Sequence, residues 1–391
     1  MALRYIDSLD LAGKRVFIRA DFNVPLKNGA ISDATRIEAA LPTIQWAVAQ
    51  GAHVILASHL GRPKAGPDPK LSLQPVAEAL AELLHLKVKL APDCVGAEVE
   101  KVSRSLDRKE ILLLENVRFH AEEEKNDPAF AQQLAALADI YVNDAFGAAH
   151  RAHASTEGMA RLVPVRAAGF LMKKEVEALS KITENPEHPL VAIIGGAKVS
   201  DKIKIIEHLL TKVDALLIGG AMAYTFLRAQ GHTTGDSLVE DDRIETARTV
   251  LARAKERGTA IHLPIDHLVT TALDGSAPAQ VTVDIPAGTK GVDIGPASIS
   301  LYCTEIAKAR TLFWNGPMGI FEVEAFSKGT MAIADAMADS KALTVVGGGD
   351  SIAALSRSGR GDDITHISTG GGASLEFLEG RELPGLAVLE Q

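Results

Sequence analysis

Short apolar runs that resemble β-strands alternate with longer helical patterns along almost the whole chain of 391 residues. The runs lie between Arg15 and Val142 in the first half and between Leu190 and Ser368 in the second. Strands that alternate with helices are typical of parallel sheets covered by helices on both faces. The pattern therefore predicts an α/β fold made of doubly wound, Rossmann-like parallel sheets.

One helical pattern, FLMKKEVEALSKIT over 170–183, separates the two sets of strands and ends before two Xaa-Pro pairs. At roughly 150 residues per domain, the chain has room for about two domains. We therefore expect one domain over 1–169 and another over 170–379 that begins with a hinge helix at 170–183. Thr271–Asp293 contains Gly, Pro and alternating Val-Thr-Val, which predicts an antiparallel excursion.

Charge and cysteine content exclude several classes of protein. The 41 Lys and Arg against 50 Asp and Glu give a net charge of -9, which disfavours nucleic-acid binding. Cys94 and Cys303 belong to no CxxC pair and no Cys/His metal spacing, so we expect two reduced thiols without a disulfide framework or structural zinc. The N-terminal segment has no signal-peptide pattern and no run reaches about 18 apolar residues, so we expect a cytoplasmic protein without a membrane partner.

Four strand-like runs of the second half lead directly into glycines and then into a helical pattern. The glycines are Gly195-Gly196, Gly219-Gly220, Gly347–Gly349 and Gly370–Gly372. The carboxyl ends of parallel strands meet at one edge of a sheet, and the N–H groups of the helices that follow attract anions. The pattern predicts a phosphate or nucleotide site. Glycine at such turns also permits tight packing, and neither GxxxxGK[ST] nor GxGxxG occurs.

Charged side chains accompany two of these glycine turns. Lys198 and Lys202 are four residues apart, which predicts two ammonium groups on one helix face that an anion would neutralise. The alternative is a solvated basic face, helped by Asp201. Asp350 suits a magnesium ion that bridges phosphates, whereas the alternative is that Asp350 and Ser351 only cap the next helix.

Basic side chains take the place of the glycines in the first half. The residues that follow its strand-like runs are Asp21, Asn23, Arg36, His59, Arg62, Arg118, His120, His150, Arg151 and His153. Arginine presents a planar fork of donors that fits carboxylate and phosphate oxygens, so several at one edge predict an anion pocket. Arg36 lies at a predicted helix start, where acidic residues are favoured, without a visible local benefit. An exposed surface arginine is the alternative there.

A glycine-rich edge and a cationic edge predict two anionic substrates that meet in a cleft between the domains. Phosphoryl transfer suits such a site, because the reaction needs alignment and charge neutralisation more than covalent help from the protein. A dinucleotide-dependent dehydrogenase and a non-catalytic two-domain sensor are the alternatives. The missing GxGxxG motif disfavours the first, and the missing signal peptide disfavours the second.

The sequence resembles the phosphoglycerate kinase family in motifs that occur in the family's order over nearly the whole chain. They are RADFNVP (19–25), SHLGRP (58–63), ENVRF (115–119), GGAKVSDK (195–202), WNGPMGIFE (314–322), GGGDS (347–351) and GGGASLEFLEG (370–380). The resemblance implies reversible transfer of the terminal phosphoryl group between MgATP and the carboxylate of 3-phosphoglycerate. The products are 1,3-bisphosphoglycerate and ADP, in glycolysis and gluconeogenesis.

The resemblance also implies roles for individual residues. Groups that neutralise the phosphoryl group in flight are Arg36, Lys198, Lys202, Gly371 and Gly372. Residues that hold phosphoglycerate are Asp21, Phe22, Asn23, Arg36, His59, Leu60, Gly61, Arg62, Arg118 and Arg151. Residues that hold the nucleotide are Gly195, Lys202, Gly219, Glu322, Gly348, Gly349, Asp350 and Ser351. Among these, Glu322 is expected at the ribose and Asp350 on Mg²⁺.

A carboxylate nucleophile is already ionised at pH 7, so this reaction needs no general base. We therefore expect His59, His150 and Asp21 to act in positioning and electrostatics. The resemblance further implies closure of the two domains about the hinge helix. It also implies a C-terminal tail, 380–391, that packs back on the first domain. We expect a monomer.

Overall fold

The computed structural model describes residues 3–64 and 66–390. The chain divides into two compact units, one formed by Met1–Glu177 with Glu382–Gln391 and the other by Ala178–Arg381. Each unit contains a parallel six-stranded sheet, as the alternating pattern predicts.

The first unit is built around a sheet of order β5-β6-β4-β1-β7-β8, and β2 and β3 form a separate antiparallel hairpin. Its strands are β1 (Arg15–Arg19), β2 (Leu26–Lys27), β3 (Ala30–Ile31), β4 (His53–Ala57), β5 (Lys87–Leu90), β6 (Glu110–Leu113), β7 (Ile140–Asn143) and β8 (Val165–Ala168). Its helices are α1 (Thr35–Ala49), α2 (Gln74–Leu84), α3 (Ala97–Arg104), α4 (Ala121–Glu124), α5 (Pro128–Ala135) and α6 (Met159–Leu162). A further helix, α7 (Phe170–Thr183), continues into the second unit.

The central strand β1 is apolar because both faces of a parallel sheet are covered. Val16 and Ile18 share one buried cluster with Ile37 of α1. Phe17, on the opposite face, stacks on Tyr141 of β7 with ring centroids 6.1 Å apart. β4 pairs with one side of β1 and β7 pairs with the other, both in parallel. The order in which the chain adds strands to the sheet therefore reverses at β1. Ligands of open α/β sheets bind beside such a reversal, outside the carboxyl ends of the strands.

The second unit has a sheet of order β11-β10-β9-β15-β16-β17 and an antiparallel sheet of order β13-β12-β14. The strands are β9 (Leu190–Ile194), β10 (Ala215–Ile218), β11 (Ala260–His262), β12 (His267–Thr270), β13 (Gln280–Thr282), β14 (Lys290–Ile294), β15 (Thr311–Asn315), β16 (Leu343–Gly347) and β17 (His366–Ile367). The antiparallel sheet confirms the excursion predicted over Thr271–Asp293.

The helices of the second unit lie between its strands in sequence, except α14, which follows the last strand. They are α8 (Ile203–Leu209), α9 (Met222–Ala229), α10 (Ile244–Arg257), α11 (Pro296–Lys308), α12 (Lys328–Ala338), α13 (Gly349–Ser358) and α14 (Gly372–Leu378). Across 3–64 and 66–390, every helix is too short or too polar to cross a membrane.

The C-terminal segment, with α15 (Pro384–Ala387), belongs to the first unit. The side-chain amide of Asn143, at the end of β7, donates a hydrogen bond to the carbonyl of Gly385 at 2.9 Å. The Gly385 N–H donates to the carbonyl of Ala149 at 2.8 Å. A Cβ at Gly385 would lie 3.0 Å from Ala149 Cα, so glycine permits this close backbone contact.

Candidate active site

A pocket of about 270 Å³ lies at the carboxyl edge of the parallel sheet in the second unit. Its walls come from segments that follow four strands. They include Lys202 after β9, Asn315 at the end of β15, Gly348–Ser351 after β16 and Gly371-Gly372 after β17. Since the chain reverses across this sheet between β9 and β15, the pocket lies where ligands of open α/β sheets bind.

The ammonium group of Lys202 is fixed at this pocket. Its Nζ donates a hydrogen bond to Oδ1 of Asn315. Burial lowers the pKa of Lys202, while the carboxylates of Asp201 and Asp350 act in the opposite direction. Asn315 is not among the residues predicted from the sequence, although a polar residue at the end of the apolar strand β15 is a signal that could have identified it.

The loop before α8 differs from the sequence prediction. The helix begins only after Lys202, so Lys198 and Lys202 do not share a helix face, and that prediction is wrong. The chain turns first because Val199 is buried and the Ser200 hydroxyl donates a hydrogen bond to Glu240 at 2.6 Å. Lys198 is exposed in this loop.

Two helix starts contribute to the same pocket. Gly371 precedes α14 with φ 53° and ψ -114°, a conformation that glycine adopts far more readily than other residues. The N–H groups of the first helical turn, beginning at Gly372, have no acceptor within their own helix. Asp350 is exposed in the first turn of α13, where no side chain caps the helix, which leaves the capping alternative unsupported. Ser351 is buried and its Oγ accepts a hydrogen bond from the Gly316 N–H at 2.5 Å.

A larger pocket of about 570 Å³ also includes Asp350, so it shares one wall residue with the smaller pocket. Leu238 and Met318 supply apolar wall, while Glu322 supplies an exposed carboxylate. The predicted residues Glu322 and Asp350 therefore line one cavity. Its mixture of surfaces suits a ligand with an apolar body and a polar, anionic end.

The glycines that line this larger pocket each follow, by one position, a glycine that the resemblance assigns to the nucleotide. Gly196 and Gly220 line it. Gly195 and Gly219 are buried just before them, where a Cβ would lie 2.1 Å from the Pro317 carbonyl oxygen and 2.3 Å from Met318 Sδ, respectively. Tight packing against the loop after β15 thus requires glycine at both buried positions.

In the first unit, Asp21 lies two residues after the end of β1 and is 7% exposed. Its Oδ2 accepts a hydrogen bond from Nη1 of Arg36 at 2.8 Å. Burial acts to raise the pKa of Asp21, but the positive charges of Arg36 and Arg19 and the hydrogen bond from the Asn23 N–H hold that pKa below its usual value. Asp21 is therefore a buried anion that holds a partly exposed guanidinium group.

His59, after β4, is also buried. Burial moves the pKa of His59 well below its usual value, and Arg19, Arg118 and Arg151 lower it further against the opposing charge of Asp21. Nη2 of Arg19 lies 3.2 Å from Nδ1 of His59. A neutral imidazole in this position orients Arg19 and adds no positive charge to the site.

A chain of hydrogen bonds ties three turns of this edge together. The Gly61 N–H donates to Oδ1 of Asn23 at 2.8 Å, and Nη1 of Arg118 donates to the Gly61 carbonyl at 2.9 Å. Nε of Arg118 lies 3.2 Å from Oε1 of Glu124. Gly61 has φ 61°, which favours glycine.

The remaining predicted residues of this edge fall into two groups. Phe22 and Leu60 are buried and contribute backbone N–H groups, which donate to Ser58 Oγ at 2.8 Å and to Asn116 Oδ1 at 3.2 Å, respectively. The side chains of Arg62 and Arg151 have fewer contacts that fix their positions. Arg151 Nε donates to His150 Nε2 at 3.2 Å, and Arg62 is exposed without a hydrogen bond or ion pair in the described part of the chain.

The sequence and the fold both match those of known proteins. A family profile described as phosphoglycerate kinase matches residues 6–381. The chain is 59% identical over 396 residues to the phosphoglycerate kinase of Anaeromyxobacter sp. (strain K), with 100% of both chains covered. It is 58% identical over 396 residues to that of Solibacter usitatus (strain Ellin6076), again with 100% of both chains covered.

Solved structures agree with this result. The structure of phosphoglycerate kinase from Coxiella burnetii matches with a TM-score of 0.92 at 44% identity and 99% coverage of both chains. That from Pyrococcus horikoshii OT3 matches with a TM-score of 0.80 at 35% identity, covering 99% of this chain and 98% of the other. The chain belongs to the phosphoglycerate kinase family. Membership of the phosphoglycerate kinase family makes it a phosphotransferase whose acceptor is a carboxyl group.

The phosphoglycerate kinase motifs contain contacts that the sequence analysis did not assign. Within WNGPMGIFE, Asn315 binds Lys202 and the carbonyl of Pro317 accepts from the Gly196 N–H at 3.1 Å. Within RADFNVP, Arg19 is 1% exposed and its Nε donates to Ser155 Oγ at 2.7 Å. A charged residue that ends an apolar strand was the available signal for Arg19.

Proposed function

We propose that this protein catalyses the reversible transfer of the terminal phosphoryl group between MgATP and the carboxylate of 3-phosphoglycerate. The products in that direction are ADP and 1,3-bisphosphoglycerate. The observation that carries the proposal is the convergence of Lys202, Asp350 and the Gly371-Gly372 turn on one pocket, in a chain of the phosphoglycerate kinase family.

The nucleotide binds in the second unit. The larger pocket takes the nucleoside, with Glu322 at the ribose, and the smaller pocket takes the phosphates beside Lys202 and Gly348–Ser351. The two pockets share Asp350, which supports one continuous ligand. Gly195 and Gly219 support this site by letting the loop after β15 pack closely.

The residues at this site fit a magnesium ion. An exposed carboxylate without a hydrogen-bond partner among the described residues is a hard oxygen ligand of the kind Mg²⁺ prefers, and Asp350 supplies one beside the proposed phosphates. When bound with the nucleotide, Mg²⁺ would supply positive charge that offsets the charge of the phosphates. The Ser351 hydroxyl holds the Gly316 N–H, so Ser351 orders the turn on which Asp350 lies.

Phosphoglycerate binds at the basic edge of the first unit. Guanidinium groups of Arg36, Arg62, Arg118 and Arg151 hold its phosphate and carboxylate by paired hydrogen bonds. Asp21 fixes Arg36, and the chain Asn23–Gly61–Arg118 fixes the opposite side of the edge; Phe22, His59 and Leu60 order the turns between them.

The chemical step requires orientation and positive charge. The substrate carboxylate attacks as the anion, so no protein base takes a proton. The neutral state of His59 and the charged state of Asp21 agree with positioning roles. Arg36, Lys198, Lys202 and the N–H groups of Gly371 and Gly372 neutralise the phosphoryl group as it moves.

Reactants held by separate domains must meet, so we infer a closure of the domain 1–169 on the domain 170–379 around a cleft. The hinge includes residues 170–183, and the tail 380–391 belongs with the first domain. Continuation of α7 from one compact unit into the other, and assignment of Glu382–Gln391 to the first unit, support this division. We also propose a cytoplasmic location, since the proposed substrates are metabolites of glycolysis, and a monomeric state.

A coupled assay tests the proposed function. Purified protein is given MgATP and 3-phosphoglycerate, and an aldehyde-forming dehydrogenase with NADH reports 1,3-bisphosphoglycerate. We expect NADH oxidation that requires all three of protein, nucleotide and phosphoglycerate. Turnover without phosphoglycerate, or none with it, would contradict the proposal.

A further inference from the structure

Three metal-ligating side chains converge in the first unit outside the proposed substrate sites. Asp93, Cys94 and His120 each offer one ligand atom, and these atoms all lie within 4.8 Å of one another. Oδ1 of Asp93 and Nε2 of His120 are 2.7 Å apart. The three ligand atoms are therefore close enough to one another to bind a single ion.

The pairing of two strands creates this cluster. Asp93 and Cys94 follow β5, while His120 follows β6 after the 3₁₀ turn Val117–Phe119. β5 and β6 are parallel neighbours, so their carboxyl ends lie side by side. The spacing of 26 residues between Cys94 and His120 matches no linear metal motif, and for that reason the sequence analysis gave no support to zinc.

We propose that Asp93, Cys94 and His120 form a binding site for Zn²⁺. A thiolate, an imidazole and a carboxylate are the donors that zinc takes in proteins. Three protein ligands leave the fourth tetrahedral position to water. Two ligands at roughly 2.0 Å from a tetrahedral ion are about 3.3 Å apart, so the Asp93–His120 pair needs to open only slightly.

The surroundings favour a cation and give it access. The side chains of Asp93 and His120 are 45% and 29% exposed, while Cys94 is buried behind them. Burial raises the pKa of the Cys94 thiol well above its usual value, and the carboxylates of Asp93 and Glu123 raise it further, so the sulfur keeps its proton until a cation displaces it. On binding, the sulfur–hydrogen bond breaks, a sulfur–zinc bond forms, and the proton passes to solvent without any redox change.

Contacts around the ligands hold them in place. The Cys94 N–H donates to Oδ1 of Asp93 at 2.6 Å, and the His120 ring packs on Phe130 with centroids 5.2 Å apart. Such contacts orient metal ligands before the ion arrives. None of the three ligands belongs to the groups assigned above to phosphoglycerate, nucleotide or Mg²⁺.

Direct metal titration tests the site. Chelator-treated full-length protein is titrated with Zn²⁺ by calorimetry and separately with Co²⁺, whose thiolate complexes absorb in the near ultraviolet. We expect saturable binding of about one ion per chain and a cobalt–thiolate band. Cys94→Ser should abolish the band, and His120→Asn should weaken Zn²⁺ binding at least about tenfold. Wild-type protein without saturable binding overturns the proposal.

Two variants serve as matched controls. Cys303→Ser removes the other cysteine, and His188→Asn breaks a second His–carboxylate pair, in which His188 Nδ1 lies 2.7 Å from Oδ2 of Asp214. Both should keep the band and the Zn²⁺ affinity. If Cys94→Ser retains the band, or Cys303→Ser loses it, the thiol ligand has been misassigned. Circular dichroism establishes that each variant is folded, and His120→Asn tests the site separately from the buried cysteine.

Discussion

Nη1 of Arg36 and Oδ2 of Asp21 are joined by a hydrogen bond of 2.8 Å. This ion pair places a positive charge in the first turn of α1, where the helix dipole disfavours it. The sequence shows no local benefit for that placement. The structure supplies one, because the buried carboxylate of Asp21 is charged and holds the guanidinium group at the carboxyl edge of the sheet.

Replacement of Arg36 should remove charge that acts mainly in the transition state. We expect Arg36→Ala to lower kcat by about 10²-fold or more, as loss of a preorganised charge does. Steady-state kinetics in the coupled assay measures this change. Arg104→Ala is the control, since Arg104 is 68% exposed and, among the residues that the structure describes, forms an ion pair only with Glu100 on its own helix. An Arg36→Ala enzyme with more than half the wild-type rate would exclude the assigned role.

Lys202 and Asn315 should act as a pair. Lys202→Ala is expected to lower kcat about 10²-fold, and Asn315→Ala about tenfold, because the second change frees the ammonium group without removing it. A double variant no slower than Lys202→Ala would show that Asn315 works through the lysine. Lys204→Ala, at an exposed position two residues further on, is the matched control. Full activity of Lys202→Ala would refute the assignment.

Arg62 should contribute mostly to substrate affinity. Its side chain is exposed and has no partner among the residues that the structure describes, so its guanidinium group is free to bind an anion. We expect Arg62→Ala to raise the Kd for 3-phosphoglycerate by roughly tenfold, which corresponds to loss of about 1.4 kcal/mol. Calorimetric titration measures it, with ATP affinity as the internal control. Unchanged phosphoglycerate affinity would mean that the basic edge has been misassigned.

The sequence was sufficient to predict the parallel sheets and the antiparallel excursion, because apolar runs and glycine turns are local signals. It did not predict β8, since Val165–Ala168 is short and its arginine and alanines have weak β propensity. The β2–β3 hairpin was also missed, although Asn28-Gly29 is a strong turn signal.

Among the site residues too, those marked by local signals could be predicted and the others could not. Those in turns directly after strands could be selected from spacing, as Asp350 and Arg62 were. Contacts between distant segments could not. The start of α8 depends on a hydrogen bond from Ser200 to Glu240, and the convergence of Cys94 with His120 depends on strand pairing. Neither is encoded in the periodicity of its own segment.

Acid should destabilise the fold partly through His267. This histidine is buried, and burial lowers its pKa from 6.5 to about 4. Between these values the unfolded chain binds the proton and the folded chain does not, so stability falls as the pH falls. From pH 7 to pH 5 the group should cost about 2 kcal/mol of unfolding free energy.

Urea denaturation at several pH values measures this contribution. We expect the unfolding free energy of His267→Gln to change less between pH 7 and pH 5 than that of the wild type. His85→Gln is the comparison, because His85 is exposed and belongs to the first unit, whereas His267 belongs to the second. Parallel pH profiles for wild type and His267→Gln would disprove the assignment.

Alanine substitutions at Gly371 and Gly359 should separate the effect of backbone strain on stability from the effect of Gly371 on catalysis. Gly359 ends α13 with φ 70° and Gly371 precedes α14 with φ 53°, and a Cβ would meet no atom within 4 Å at either position. Alanine should therefore cost roughly 1–3 kcal/mol of stability at each through strain. Only Gly371→Ala should also lower kcat, by about tenfold or more, since it shifts the N–H groups that we propose neutralise the phosphoryl group. Thermal unfolding together with steady-state kinetics measures both effects. Equal kcat values in the two variants would remove Gly371 from the catalytic group, because strain alone would then explain its behaviour.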